Sequence, residues 1–252
     1  MKTLNIIGYL GFHNFGDDLM LMGLLDELNR KGGAQGRVFV KYKEGLEAFV
    51  TRWRNLDVSF VSLNKFTAVL LPYYIFAASK TIWCGGTCLY EDPSDPLFRG
   101  LKWIGRVAMY SEIFGRKLLL INIGVNQIIS DRAAEIIREM IVRRSTQISV
   151  RDESSLENLK RISPAAKSVV LGGDLAFLNR IESVQKSSKN DHIIFCGHLQ
   201  YADNSDVVSF YAKALSEISK ILGRSIIMVS LHDGVAGDGL FHNRIKERME
   251  CQ

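Results

Sequence analysis

Cysteine is scarce in this sequence, and its four cysteines (Cys84, Cys88, Cys196 and Cys251) show no framework spacing. Cys84 and Cys88 stand one residue further apart than the cysteines of C-x-x-C redox and zinc motifs, so we expect no metal site at this pair. The N-terminus has one lysine and a short apolar run that ends in glycines and aspartates, which is typical of a first β-strand and not of a signal peptide. The sequence therefore predicts reduced thiols and a cytoplasmic protein.

Long apolar runs and blocks of like charge are also missing. The most apolar segment, FTAVLLPYYIFAASK at positions 66–80, is interrupted by Pro72 and falls short of the ~20 apolar residues that a bilayer-spanning helix needs. We predict a buried helix there, and association with a membrane surface is the alternative. The net charge of +5 comes from scattered basic residues, which argues against nucleic-acid binding and leaves attraction to anionic membranes or phosphorylated substrates open.

Several catalytic motifs are absent as well. The sequence has no G-x-S-x-G, no H-E-x-x-H and no P-loop, so hydrolase and NTPase activities lack the residues that would carry them. With 47% hydrophobic and 23% charged residues, the composition is that of an ordinary globular protein. A chain of 252 residues is long enough for one large domain or two modest ones.

Short apolar runs alternate with helical patterns, which predicts an α/β fold with a parallel, Rossmann-like sheet. We expect strands at positions 4–9, 37–42, 57–62, 81–84, 117–124, 147–152 and 167–173. Among the helices between them, one is expected to begin at a Ser130 N-cap, and another at a capping box made by Ser154 and Glu157.

A polar stretch, SVQKSSKND, marks the expected domain boundary. We assign residues 1–182 to the Rossmann-like N-terminal domain, residues 183–190 to a linker, and residues 191–252 to the start of a second α/β domain. This last part holds two βα units, too few to bury a core of normal size, so we expect the second domain to be incomplete.

The segment GYLGFHNFGDDLML, residues 8–21, raises the question of a phosphate cradle between the first strand and the first helix. Its glycines do not match the G-x-G-x-x-G of dinucleotide-binding proteins, and Asp17 and Asp18 would repel a pyrophosphate at the helix start. Two interpretations stay open. Either Asn14, Asp17 and Asp18 accept hydrogen bonds from hydroxyls of a polar substrate, or an aspartate caps the helix while Asn14 and Gly16 form the turn.

Other polar or glycine residues follow strands, at the edge where open parallel sheets bind ligands. After the strand TIW, Gly85 and Gly86 form either a loop whose N–H groups bind an anion or a tight packing turn. Arg151 ends another strand and could grip a carboxylate or phosphate bidentately; the alternative is an ion pair with Asp152 or Glu153. Further candidates at strand ends are Thr87, Asn126, Gln127 and Asp174.

Two histidines, His198 and His232, each follow a strand of the C-terminal part. Their corresponding positions indicate acid–base chemistry or phosphate binding, against the alternative of purely structural roles. Aspartates stand near them in the sequence, but the spacing matches no metal motif and we expect no metal: Asp203, Asp233 and Asp238.

Taken in order, these segments resemble the polysaccharide pyruvyl transferase family. The matching pieces are GYLGFHNFGDDLML, IWCGGTCLYED, LLLINIGVNQ, ISVRDESSLENL, VVLGGDLAFL and IIMVSLHDGVAGD. The opening pattern of the family, G-x-x-N-x-G-D, is supplied by Gly11, Asn14, Gly16 and Asp17, which favours the functional interpretation of that loop. Arg151 matches the arginine of the R-[DE]-x-x-S motif and is implied to bind the phosphate or carboxylate of the donor.

The resemblance implies a two-domain, GT-B-like enzyme that transfers a pyruvyl group from phosphoenolpyruvate to a sugar, usually as a cyclic ketal, in the synthesis of cell-wall or exopolysaccharides. We expect no cofactor besides this donor substrate, and an acceptor that is a polysaccharide or a lipid-linked precursor. Candidate catalytic residues are Asp17, Asp18, Arg151, Asp174 and His232, and the choice of the base among the aspartates is open. Candidate substrate-binding residues are Asn14, Gly16, Gly85, Gly86, Thr87, Asn126, Gln127 and His198.

The sequence departs from the family at its end. Members continue to an arginine–histidine segment thought to help hold the donor, and this sequence ends at Gln252 without it. The alternatives to the transferase are a GT-B glycosyltransferase that uses a nucleotide sugar and a non-catalytic fragment that binds a glycan or a partner protein. We expect a cytoplasmic location, with peripheral association at the inner face of the membrane left open.

Overall fold

The computed structural model describes residues 3–12, 14–43, 46, 55–166, 169–178, 192–197, 202–231 and 238–250. The chain divides into two compact units, residues 1–12 with 16–180 and residues 13–15 with 181–252. The predicted linker at positions 183–190 lies outside the described residues, so its bounds stay a prediction.

The first unit is built on an eight-stranded sheet in the order β3-β2-β1-β4-β6-β7-β8, with β5 pairing beside β6. Every pairing in it is parallel, which confirms the predicted α/β class with a parallel sheet. The strands are β1 Thr3–Ile7, β2 Ala34–Val40, β3 Leu56–Ser62, β4 Lys80–Cys84, β5 Thr87–Leu89, β6 Lys117–Val125, β7 Gln147–Val150 and β8 Val169–Leu171.

Helices cover both faces of this sheet. Neighbouring residues of a strand point to opposite faces, so Ile6 packs in one hydrophobic cluster with Leu21, while Ile7 packs in the other with Leu71 and Ile104. The helices are α1 Phe15–Arg30, α2 Lys65–Ala77, α3 Arg99–Ile113, α4 Asp131–Glu135 continued by a π-helix Ile136–Val142, α5 Glu153–Ile162 and a 3₁₀ helix Leu175–Leu178.

Two of the predicted helix starts have different outcomes. Ser130 caps α4 as predicted, because its hydroxyl accepts from the N–H of Ala133. The predicted capping box at Ser154 is wrong. The N-cap of α5 is Asp152, whose Oδ1 accepts from the N–H of Ser155 at 2.7 Å.

The apolar segment 66–80 forms most of α2, but the prediction of a buried helix holds for one face only. Thr67, Leu71 and Ile75 are buried, whereas the opposite side of the helix, which includes Phe66 and Tyr73, is exposed to solvent. When polar residues do not recur along a hydrophobic run, the sequence does not indicate which side of the helix faces the core. Across the part of the chain that the structure describes, each helix is too short or too polar to cross a bilayer.

The second unit has a parallel pair of strands, β9 (His192–Phe195) and β10 (Ser225–Met228), as the predicted βα pattern requires. Helices α6 (Ser205–Leu222) and α7 (Gly239–Glu250) belong to the same unit. Its small core is centred on Phe241 and Ala212.

The order of the strands locates the crevice of the first unit. The chain runs from β1 outward to β2 and β3, and then crosses back to place β4 on the other side of β1. In open α/β sheets, ligands bind beyond the carboxyl ends of the strands at such a switch point. Residues that follow β1 and β4 are therefore the ones to inspect.

Candidate functional site

Two glycines with left-handed backbone interrupt the chain directly after β4. Gly85 has φ +50° and Gly86 has φ +73°, so the strand breaks there and resumes as β5 along the same neighbour, β6. A β-carbon on Gly85 would lie 2.6 Å from the sulfur of Met20, closer than two such atoms can approach. The N–H of Gly85 donates to Ile121 O and that of Gly86 to the Met20 sulfur, which supports the packing interpretation for Gly85; binding of an anion by these amides stays a prediction.

Asp17 lies against this glycine turn. A β-carbon on Gly86 would be 3.1 Å from Asp17 Oδ1, so the absence of a side chain leaves room for the carboxyl. Burial raises the pKa of Asp17 to about 6, and the negative charges of Asp18 and Asp174 add to the effect while Arg151 opposes it. Asp17 therefore changes its protonation state near neutral pH.

Asp18 has a structural partner. Its Oδ1 accepts from the N–H of Gly11 at 2.9 Å and closes the turn between β1 and α1. Gly11 has φ +67°, and a β-carbon there would lie 2.4 Å from Tyr42 O, so this turn requires glycine. The hydrogen bond between Gly11 and Asp18 thus fixes the start of α1. As a result, Asp17 lies beside Gly86.

Arg151 lies over the backbone of β6 next to Thr87. A β-carbon on Gly124 would be 3.0 Å from Thr87 Oγ1 and 3.1 Å from Arg151 Nε, so this glycine lets both side chains approach. Arg151 Nε donates to Asp152 Oδ2 at 3.1 Å. Within the described residues, the hydrogen bond and the ion pair of Arg151 use Nε, which leaves its terminal guanidinium nitrogens available to an anion.

Asp152, which pairs with Arg151, serves the local structure. Burial raises the pKa of this carboxyl, but hydrogen bonds from Ser155 and Arg151 outweigh it and hold the pKa below its ordinary value. Asp152 is therefore ionised near neutral pH, caps α5 and fixes the Arg151 side chain. The ion pair considered for Arg151 is therefore present and uses Nε alone, while the gripping of a carboxylate or phosphate by this residue stays a prediction.

Asn122 lies next to the candidate residue Asp174 through its bond to Gly173, and it was not among the residues predicted from the sequence. It has φ +50° in the middle of β6, where the register with β7 shifts. Its Oδ1 accepts from Ser149 Oγ at 2.7 Å and its Nδ2 donates to Gly173 O at 2.6 Å. Gly173 precedes Asp174, so Asn122 holds the loop that brings Asp174 within electrostatic reach of Asp17. An asparagine inside an apolar strand was the available signal.

The cysteines beside the site are not reactive thiols. Cys84 and Cys88 are fully buried, and both are free. Burial raises the pKa of the Cys88 thiol to about 12 and that of Cys84 well above its ordinary value. Since the thiolate is the nucleophile and the metal ligand, these thiols serve packing. In the described part of the chain, no group of three His, Cys, Asp or Glu side chains comes together as a cation site would need.

A small cavity of about 170 Å³ has Cys88 as one of its lining residues. Tyr9 and Tyr90 line it, and their hydroxyls are hydrogen-bonded to each other. Burial raises the pKa of Tyr9, with smaller contributions from Tyr90, Cys88 and the charge of Asp17. Asp92 and Phe98 complete its polar and apolar sides, and Phe98 has the left-handed backbone (φ +53°) that is rare for a bulky residue.

The remaining candidates are less well placed or fall outside this description. Asn126 and Gln127 are exposed after β6, and the N–H of Asn126 donates to Leu89 O. Asn14 is half-buried and Gly16 is exposed. His198 and His232, with Asp233, lie outside the described residues, so their predicted roles are untested.

Of the aspartates named with these histidines, Asp203 and Asp238 are described, and both form structural contacts. Arg244 donates to Asp203 Oδ1 at 2.7 Å, and Asp238 Oδ2 accepts from the N–H of Leu231 at 3.2 Å. His242, in the same unit, is buried and accepts from the N–H of Gly197.

Comparison with known families finds one model that matches nearly the whole chain. The model of polysaccharide pyruvyl transferases matches residues 14–243. No curated protein is similar enough in sequence to count as a match.

Solved structures with a similar fold are UDP-GlcNAc 2-epimerases. That of Methanocaldococcus jannaschii has a TM-score of 0.62 at 12% identity, covering 98% of this chain and 68% of that one. The enzyme of Neisseria meningitidis bound to UDP-GlcNAc gives 0.60 at 10% identity, with 100% and 70% covered. The S. aureus MnaA–UDP co-structure gives 0.61 at 10% identity, with 100% and 67% covered. The likeness confirms the GT-B-like, Rossmann-type fold class, and this chain spans about two thirds of their length.

Proposed function

Because the chain belongs to the polysaccharide pyruvyl transferase family, we propose that it takes part in transferring a pyruvyl group from phosphoenolpyruvate to hydroxyls of a sugar. Membership in this family makes it a transferase of polysaccharide synthesis. The donor, the ketal product and the residue roles are the proposal.

The observation that carries the proposal is the raised pKa of Asp17 beside an arginine that has free guanidinium nitrogens among the described residues. A group is the best proton donor and acceptor when its pKa lies near the working pH, and about 6 satisfies this for Asp17. Asp18 is occupied by the N–H of Gly11, and Asp174 Oδ1 accepts from the N–H of Ala176. Among the three candidate aspartates, Asp17 is our choice for the acid and base.

With this choice, Asp17 can act as the acid in the first step and as the base in the second. Protonated Asp17 delivers its proton to the methylene carbon of phosphoenolpyruvate, and an oxocarbenium-like centre forms at the adjacent carbon. A sugar hydroxyl forms the first carbon–oxygen bond there and gives its proton to the Asp17 carboxylate, which restores the acid. The second hydroxyl forms the second bond as the carbon–phosphate oxygen bond breaks, and its proton leaves with the phosphate.

Arg151 is our choice for the anion-binding group. A planar guanidinium binds a carboxylate or phosphate through two parallel hydrogen bonds, and the pair of Arg151 Nε with Asp152 fixes its orientation beforehand. Its positive charge also offsets the negative charge that develops on the leaving phosphate. Thr87, beside the guanidinium, offers a hydroxyl to the same anion.

The acceptor sugar fits best on the side of Tyr9. The cavity next to Cys88 joins two phenol rings with the carboxylate of Asp92, a combination that suits a sugar ring with an apolar face and polar edges. Asp17 is close enough to affect the pKa of Tyr9. A hydroxyl of a sugar bound in this cavity would therefore lie near the Asp17 carboxyl, which we propose as its base.

A calorimetric titration with phosphoenolpyruvate, paired with release of phosphate in the presence of candidate sugars, tests this function. We expect binding in the wild type, loss of binding in Arg151→Gln, and no loss in Arg161→Gln, which removes an exposed arginine from the last turn of α5. Asp17→Asn should keep donor binding and lose phosphate release. Binding of UDP-N-acetylglucosamine with none of phosphoenolpyruvate would contradict the proposal and favour a nucleotide-sugar enzyme.

A further inference from the structure

Helix α2 (Lys65–Ala77) lacks a polar face, although it lies at the surface. Surface helices normally have charged residues on the side away from the core. Residues 65–80 read KFTAVLLPYYIFAASK, with a lysine at each end and no acidic residue. The helix uses Thr67, Leu71 and Ile75 to pack against its own unit, so this packing does not account for the apolar residues opposite.

Four large side chains form a stripe on that opposite side. Phe66, Val69, Tyr73 and Phe76 follow helical spacing, and they are 73%, 76%, 61% and 54% exposed. The stripe continues onto the end of α3, because the ring of Phe76 contacts that of Phe114 edge-on at 5.6 Å. A contiguous exposed apolar patch of this kind marks an interaction surface.

Cations surround the stripe at both ends. Lys65 is the first residue of α2. At the other end the Arg116 guanidinium lies over the Phe76 ring at 5.6 Å, and Lys80 pairs in register with Lys117 across β4 and β6. None of these cations forms a salt bridge with any residue that the structure describes, and residues 113–117, IFGRK, likewise contain no acid.

This combination discriminates among occupants. An anionic lipid surface offers hydrocarbon to the stripe and negative headgroups to the cations. A second copy of the chain docked through the same face would bring like charges together at the rim, which disfavours it. With 13 residues, α2 extends over roughly 20 Å, so it suits a position in the plane of the interface.

We propose that α2 docks the protein on an anionic lipid surface, with the stripe Phe66–Val69–Tyr73–Phe76 inserted among the headgroups and Lys65, Lys80, Arg116 and Lys117 bound to the lipid phosphates. Helix α2 follows β3 and runs back to β4, so its N-terminus lies at the carboxyl edge of the sheet, where the candidate site is. Lys80 and Lys117 are the first residues of β4 and β6 and lie at the opposite edge, so docking through α2 lays the helix along the lipid from one edge of the sheet to the other. The proposal stands independently of the pyruvyl transfer reaction.

Co-sedimentation of the full chain with vesicles tests the docking. Vesicles of phosphatidylcholine alone are compared with vesicles containing about one third phosphatidylglycerol, at low and high salt. We expect binding to the anionic vesicles that falls with salt. The double variant Phe66→Ser/Tyr73→Ser should weaken it roughly tenfold or more, and Phe210→Ser, which removes a Phe that is 68% exposed on α6, should leave it unchanged.

A second pair of variants separates charge from insertion. Lys80→Gln/Lys117→Gln should weaken binding by about fivefold per lysine, while Lys160→Gln/Arg161→Gln, with two exposed cations of α5 removed, should not. Retention of binding by the Phe66→Ser/Tyr73→Ser variant, or equal loss in the α5 control, overturns the proposal. So does a wild type that ignores vesicles and sediments as a dimer that the Phe66→Ser/Tyr73→Ser variant converts to monomer.

Discussion

Replacing Asp17 by asparagine should stabilise the first unit at high pH and leave its stability unchanged at low pH. Burial raises the pKa of this carboxyl from its ordinary 3.8 to about 6. The folded protein therefore holds the proton more tightly than the unfolded chain does. The free energy of unfolding of the wild type must fall as pH rises from about 4 towards 7, and level off above that.

The size of the effect follows from the two pKa values. A tenfold change in proton affinity corresponds to about 1.4 kcal/mol, so a pKa of about 6 in place of 3.8 means that ionised Asp17 costs about 3 kcal/mol above pH 7. Asparagine has the same shape and no charge. The difference between the variant and the wild type should therefore grow from near zero below about pH 3, through about 1 kcal/mol at pH 4.5, to about 3 kcal/mol at pH 8.

Urea denaturation followed by tryptophan fluorescence measures this difference for the first unit, which contains Asp17. The three tryptophans of the chain, Trp53, Trp83 and Trp103, all fall within residues 1–180, so their signal reports the first unit. The exposed Asp131 in the first turn of α4 provides a control, since Asp131→Asn should keep the pH dependence of the wild type.

A second variant tests the cause of the shift. Arg151 lowers the pKa of Asp17, so Arg151→Gln should raise this pKa further and move the fall in stability to higher pH. If the stability of the wild type and of Asp17→Asn follow parallel curves between pH 4.5 and 8, the buried, proton-exchanging carboxyl does not exist and the reasoning fails.

Three further predictions concern Gly86, Asn122 and the accessibility of the cysteines. Gly86→Ala should lose about 1–2 kcal/mol of stability in urea denaturation, because Gly86 has φ +73° and the new methyl group presses on the carboxyl of Asp17; an unchanged midpoint would contradict this. Asn122→Ala should cost about 2–3 kcal/mol through its lost hydrogen bonds and left-handed backbone, whereas Asn122→Gly, which keeps the backbone free, should cost less; equal losses would place the effect in the side chain alone. Iodoacetamide at pH 8 should alkylate the exposed Cys196 and spare Cys84 and Cys88 until the chain unfolds, as judged by peptide mapping; rapid labelling of Cys88 would show that it is accessible.

The inner part of the sheet could be predicted from the sequence because strands such as β4 and β7 are buried on both faces. Runs such as LLLINIG lie between covering helices, so burial alone marks them. The expected strands at positions 4–9 and 117–124 correspond to β1 Thr3–Ile7 and β6 Lys117–Val125. Strand ends shift by a few residues because hydrogen bonds to neighbouring strands, absent from any local pattern, decide where pairing stops.

Features that depend on tertiary contacts escaped prediction. The three-residue β5 exists because the chain, interrupted at Gly85 and Gly86, resumes its pairing along β6 in the same direction, and its sequence carries no strand signal. Asn122 adopts its backbone conformation because Ser149 and Gly173 hold its side chain, and both are distant in sequence. The exposed face of α2 was not predicted because the helix is apolar all round, so its sequence has no periodicity that separates a buried face from an exposed one. The same lack of polar residues makes the exposed face a candidate interaction surface.

The sequence named the residues that the structure brings together around Asp17, but it could not assign a separate part to each of the two aspartates. Asp17 and Asp18 are adjacent in sequence, and a motif cannot tell which of them is committed to the turn. The structure separates them, because Asp18 accepts the N–H of Gly11 while Asp17 turns towards Gly86. The difference arises where the first helix meets the glycine turn after β4, and the strand order creates that meeting.

Donor binding and protonation of Asp17 should be coupled. Phosphoenolpyruvate carries a carboxylate and a phosphate. The positive charge of Arg151 lowers the pKa of Asp17, and an anion bound to Arg151 would outweigh that charge and make the surroundings of Asp17 negative. The pKa of Asp17 would then rise above about 6 in the complex, so binding of the proposed donor would protonate the carboxyl that we propose as the acid. Titrations near pH 6.5 in buffers of different ionisation enthalpy should reveal uptake of up to one proton per donor in the wild type. Asp17→Asn removes that part of the uptake while any contribution from the phosphate group persists, and identical uptake in both proteins would assign the proton to the ligand and refute the coupling.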